Sequence, residues 1–190
     1  MPVIRLALRD HGTASGHAGY VPEMDDTYCQ LVRAKYNNNR DDRSELFETI
    51  LSIAAESSLD QALAYLERCV TEKRSAWLAQ HRPALPHTAD PIDDAYQAFY
   101  GAYLGISAPQ DGEIVERTPR RMVARWWNPC PTLDACQKFG LDTREVCGKA
   151  YHRPVQAFLE SIHPQLRFDR NYDALRPHTP YCEEIITLTE

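Results

Sequence analysis

Between positions 44 and 105 the apolar residues recur every three or four positions, the spacing of one face of an α-helix. Leu46, Phe47, Ile50, Leu51 and Ala54 form the first stripe, after an opening in which Asp42 stands three residues before Glu45. A capping box of Ser58 with Gln61 opens a second and longest helix, whose stripe of Leu59, Ala62, Leu63, Leu66, Val70 and Trp77 runs to a stop at Pro83. Pro83-Ala84-Leu85-Pro86-His87 reads as a linker. Asp90 then caps a helix with Pro91 in its first position, lined by Ile92, Ala95, Tyr96, Phe99, Tyr100, Tyr103 and Leu104 and closed by Gly105. Upstream, 1–43 reads as an irregular arm holding one helix, Asp26 to Tyr36.

Beyond Gly112 the period falls to two. Glu113 to Thr118 and Arg121 to Trp127 predict a hairpin turning at Pro119-Arg120. Thr132 to Phe139 is a short helix stopped by Gly140. Asp142 with Glu145 opens another, which must kink or restart at Pro154. Gln165 to Arg170 and Tyr181 to Leu188 are the last two strands, separated by a turn-rich stretch with Pro177 and Pro180. The expected fold is α+β, a helical amino-terminal half followed by a ββααββ unit with a four-stranded antiparallel sheet. One domain over 1–190 contains the arm, a helical segment 44–105 and an α+β core 113–190.

Composition narrows the partners. Twenty-one Lys and Arg against 27 Asp and Glu leave a net charge of −6, and the basic residues are scattered. That pattern speaks against nucleic acid and anionic membranes as partners. No apolar run reaches the roughly 18–20 residues of a membrane span, and Met1 to Asp10 lacks a signal-peptide core. A cytoplasmic location is expected, with a small-molecule substrate as partner and a homodimer left open. Six cysteines in 190 residues are too few for a disulfide scaffold, so free thiols are expected.

The densest chemistry lies at Trp126-Trp127-Asn128-Pro129-Cys130-Pro131, where a strand gives way to a helix. Two prolines fix the backbone around Cys130, and nearby helix N–H groups favour its thiolate as nucleophile or ligand. The competing reading is a small buried hydrophobe. Trp126 and Trp127 point to opposite faces, so one packs in the core and the other is free to wall a ligand cavity. Cys136 repeats with Leu133 and Phe139 and is expected to be core. Cys147 stands near Tyr151 and His152. His178, Tyr181, Cys182 and Glu183 gather before and within the last strand, although strand alternation sends Tyr181 and Glu183 away from Cys182. Cys130, Cys147 and Cys182, with His152 or His178, make a candidate tetrahedral metal site, although no CxxC pair is present. A divalent metal ion is therefore the one cofactor these residues suggest. His11 and His17 fall in the arm and are expected to be solvated. Phosphate-loop, dinucleotide, HExxH and GxSxG signatures are absent.

Cys130-Pro131 after a strand, the helical Cys147, the spacing Pro164-x-Leu166-x-Phe168 and the closing Tyr181-Cys182-Glu183 recur together over Arg125 to Leu188. In this texture the segment resembles the L-2-amino-thiazoline-4-carboxylic acid hydrolase-like family and, more remotely, 4-vinyl reductase domains. In those relatives the last cysteine usually follows a glycine-rich turn; here the turn is Arg176-Pro177-His178-Thr179-Pro180. The resemblance implies a hydrolase opening a carbon–nitrogen bond of a cyclic amidine-type amino acid. Cys130 would then be nucleophile or ligand, His178 or His152 base, Glu183 acid and Asn128 a donor to developing charge, with Trp126, Trp127, His152 and Tyr181 around the substrate. A non-catalytic module binding a small molecule or zinc is the rival reading, and an iron-dependent tailoring enzyme with histidine ligands a third.

Overall fold

The computed structural model describes residues 26–36 and 42–190. Most of the expected irregular arm, with His11 and His17, lies outside the described residues. Within it the expected helix is present as α1 (Asp26–Lys35).

Helix α2 (Ser44–Glu56) begins one residue after Arg43, and Asp42 Oδ1 accepts hydrogen bonds from the Ser44 backbone and hydroxyl. The Ser58 hydroxyl caps α3 (Leu59–His81) by accepting from the Gln61 N–H at 3.2 Å. A short 3₁₀ turn, Arg82–Ala84, ends it at Pro83. Asp90 caps α4 (Pro91–Ala95), accepting from the N–H groups of Ile92 and Asp93. From Tyr96 to Leu104 the helix widens to π geometry, and Gly105 closes it at φ 66°, where a side chain would be strained.

Strands β1 (Gly112–Thr118) and β2 (Arg121–Trp126) form the expected hairpin. A Cβ on Gly112 would stand 2.3 Å from the Arg125 carbonyl oxygen and 2.4 Å from the Trp126 ring, so only glycine fits there. Helix α5 (Pro131–Phe139) follows. Then α6 (Thr143–Val146) passes through π-helical Cys147–Tyr151 into α7 (His152–Ile162). The restart expected at Pro154 therefore takes the form of a widened turn just before it, as a proline that cannot donate to the preceding turn favours. Strands β3 (Leu166–Asn171) and β4 (Cys182–Leu188) complete an antiparallel sheet of order β1-β2-β4-β3. The α+β class, the helical first half and the four antiparallel strands are as the sequence predicts.

Buried apolar residues form two cores. One gathers Leu46, Phe47, Ile50, Leu63, Leu66 and Val70 with Cys136, Val146 and Tyr151. The other joins the far end of α3 at Leu78 and the aromatic Phe99 and Tyr100 to Met122, Trp126, Phe158 and Ile186 over one face of the sheet. Helix α3 and the continuous helical path 143–162 contribute to both. No helix among the described residues is long and apolar enough to cross a membrane.

Candidate functional site

A cavity of about 530 Å³ opens at the seam between these two cores. Its apolar wall includes Phe99, Leu104, Ile106, Trp126, Val155 and Leu175, supplied by the first π segment, β2, α7 and the β3–β4 loop. Trp126 packs against Tyr100, ring centres 4.7 Å apart and planes tilted by 31°, and stacks on Tyr96 at 6.5 Å.

The charged part of the wall is mostly arginine: Arg43, Arg74, Arg170 and Arg176 line it together with Glu184 and Asp111. Arg170 follows Leu166 and Phe168 on one face of β3, and Glu184 precedes Ile186 on β4. The register pairs Arg170 with Glu184, whose Oε1 accepts from the Arg170 Nε at 3.0 Å and from Nη2. Burial disfavours the Arg170 cation, but the facing Glu184 carboxylate outweighs it and holds the pKa above the ordinary value. The Tyr100 hydroxyl donates to Glu184 Oε2 at 3.0 Å. Arg176 Nη1 donates to the Asn128 carbonyl at 2.8 Å, and its Nε lies 3.5 Å from Cys182 Sγ. Arg43 donates to the hydroxyls of Thr132, at 2.7 Å, and of Tyr151. Arg74 is 6% exposed. Its guanidinium lies over the rings of Phe99 (5.3 Å) and Tyr103 (5.6 Å), while Nε and Nη1 are buried with no hydrogen-bond partner.

The expected site residues divide. Trp126, Asn128, Cys130, Cys147 and Cys182 all reach the cavity. Cys130 is the residue before α5, but its side chain makes no capping bond to the helix N–H groups. Burial pushes the Cys147 thiol up to about 12, so it is neutral at pH 7. Cys136 is fully buried in the helical core, as expected, and burial raises it to about 12 as well. The remainder lie outside the cavity. Trp127 is 44% exposed and His178 is exposed. Glu183, on the opposite face of β4 from Glu184, accepts from Arg125 and Asn171, and Arg125 also covers the Tyr181 ring. His152 bonds the Tyr172 hydroxyl at 3.0 Å.

Burial, then the Arg170 charge, holds the His152 pKa below 6.5. As pH falls the unfolded chain takes up this proton first, so stability drops below about pH 6.5 and levels off under the folded value. His152→Gln should flatten that part of a plot of melting temperature against pH; an unchanged slope would show that another group carries it.

Comparison with protein-family models and with curated proteins finds no match. Two solved structures are similar: the Fe(II) unliganded H-NOX protein from K. algicida, at 11% identity, and a point mutant of it, at 10%. Each superposes with a TM-score of 0.49 over 88% of this chain and 89% of the neighbour. At that distance the likeness assigns neither ligand nor activity.

The hydrolase expectation is corrected. Neither His152, His178 nor Glu183 lines the cavity that Cys130 reaches, so the expected nucleophile, base and acid do not share a site. A thiol mechanism needs a base within about 2.6–3.2 Å of the reacting group or one water away, and among the described residues no histidine stands in the cavity wall. The zinc and iron expectations meet the same obstacle: among the described residues no group of three or more His, Cys, Asp and Glu is placed to hold a metal ion. The three thiols reach one cavity without converging on a metal-binding group.

What sequence reasoning missed is the set of buried arginines. A signal was present, since Arg74 continues the α3 stripe of Leu63, Leu66, Val70 and Leu78, and Arg170 continues the alternation of Leu166 and Phe168. A charge in phase with a buried stripe marks either a partner or a ligand.

Proposed function

We propose that this chain is a non-catalytic small-molecule-binding module whose ligand occupies the seam cavity. The observation that carries this reading is the cavity itself, about 530 Å³ of space walled by Phe99, Ile106, Trp126 and Val155 with a few convergent polar groups. Ligand pockets of roughly 300–1,000 Å³ with that composition bury most of a drug-sized molecule. The chemistry a hydrolase needs is turned elsewhere, because Glu183 and Tyr181 serve the far face of the sheet.

The test is a thermal-shift screen of drug-sized apolar molecules against the wild-type chain and Val155→Phe, which places a ring in the cavity. A ligand at 100 times its Kd adds about 2.7 kcal/mol of stability. For a chain of this size that corresponds to about 5–10 °C. Hits should stabilise the wild type and not Val155→Phe. Equal stabilisation of both, or no hit at all, would remove the reading.

A further inference from the structure

Arg43 and Arg74 are two guanidinium groups, 5% and 6% exposed, that line the cavity and form no ion pair among the described residues. Arg43 is bonded to neutral hydroxyls, and Arg74 keeps Nε and Nη1 buried without a partner. Nearby tyrosines do not neutralise them. Burial raises the pKa of Tyr36 and of Tyr151 above 10, with Arg43 and Arg74 among the charges that pull back, so both phenols are uncharged at pH 7. The other two arginines of the wall are engaged, Arg170 by Glu184 and Arg176 by the Asn128 carbonyl.

A buried cation without an anion is costly, because the interior does not replace the water it loses. Stacking on Phe99 and Tyr103 returns only part of that. A ligand that brings its own negative charge would complete the arrangement. We propose that Arg74 anchors the carboxylate of the cavity's ligand, with Arg43 adding a second positive charge beside it, so that the module selects an apolar carboxylic acid over a neutral molecule of the same shape. The carboxylate fits because its paired oxygens match guanidinium donors, and an apolar body fits because Phe99, Leu104, Ile106, Trp126, Val155 and Leu175 supply apolar wall around it. This rests on the binding reading above and deepens it by naming the ligand class.

The experiment is isothermal titration of the full chain with 2-naphthoate and with 2-naphthamide, which share a ring system and differ in charge. Wild-type protein should bind naphthoate about 10- to 100-fold more tightly, the range of a hydrogen bond to a charged group. Arg74→Met should remove that preference by weakening naphthoate while naphthamide changes less than about threefold, and Arg74→Lys should restore part of it. Without any probe, Arg74→Met should melt higher than wild type, since it relieves a buried unpaired charge; that readout also shows that the variant folds. Equal affinity of wild type for the two probes overturns the carboxylate assignment and leaves the cavity reading standing. Absence of binding by both overturns the cavity reading and this one together. Preference retained in Arg74→Met but lost in Arg43→Met overturns the choice of Arg74.

Discussion

Glu184→Ala should melt about 6–20 °C below the wild-type chain. Glu184 is the carboxylate partner of Arg170 in the cavity wall, and both side chains are at least nine-tenths buried. Its removal leaves Arg170 as a third buried cation in the same wall and strips the Tyr100 hydroxyl of its acceptor. Breaking a buried pair from one side costs about 3–5 kcal/mol, and each kcal/mol moves the melting temperature of a chain this long by about 2–4 °C. Desolvation of the pair has a further consequence that a simple loss of contacts does not share. Arg170→Met combined with Glu184→Leu should recover most of the loss, because two apolar side chains of similar volume replace a pair whose attraction mostly offsets its own dehydration. A double variant as unstable as Glu184→Ala would show that the pair stabilises by geometry no apolar pair can supply.

Phe158→Ala should lose about 3–5 kcal/mol of unfolding free energy, read from urea unfolding with the slope unchanged. Phe158 is 1% exposed on α7, where it meets Phe99, Tyr103 and Trp77 with ring centres 5.2, 5.5 and 6.1 Å away. Those rings come from α3 and the first π segment, so truncation opens a void among three rigid neighbours that cannot collapse into it. Phe158→Leu, which keeps most of the volume, should lose less than half as much. A loss under about 1.5 kcal/mol for the alanine variant would mean that the aromatic cluster repacks freely.

Sequence pattern was most informative where local chemistry decides the backbone. Ser58, Asp90 with Pro91, Gly105 and Gly140 mark helix ends that the structure reproduces, because caps act over three or four residues. Alternation along Arg121 to Trp126 and along the last strand placed the sheet within a residue or two. The widened turns were not legible. In Tyr96–Leu104 nearly every residue is apolar, so one extra residue per turn leaves no mark on the hydrophobic period. Strand alternation separates Cys182, which reaches the cavity, from Glu183, which does not, but thiols and histidines mark reactive chemistry by residue type alone and buried arginines do not. The cavity draws its charge from Arg43, Arg74 and Arg170, which composition alone assigns to solvent. Phase against Val70 and Leu78 reveals Arg74, and phase against Phe168 reveals Arg170, but that signal asks for a helix or strand register before it can be read, and Arg43, ahead of α2, carries no such mark.

The seam between the two cores also bears on how the chain holds together as a whole. Cooperativity in a small protein comes from apolar contacts that cannot be broken a few at a time. Here α3 and residues 143–162 contribute to both cores, and the cavity lies between Thr132 and Tyr151 on one side and Phe99 and Val155 on the other. Side chains that face one another across a cavity pass less packing energy between them than side chains in contact. An occupant touching Thr132 and Tyr151 on one side and Phe99 and Val155 on the other would act as a shared piece of interior, fusing two cooperative units into one.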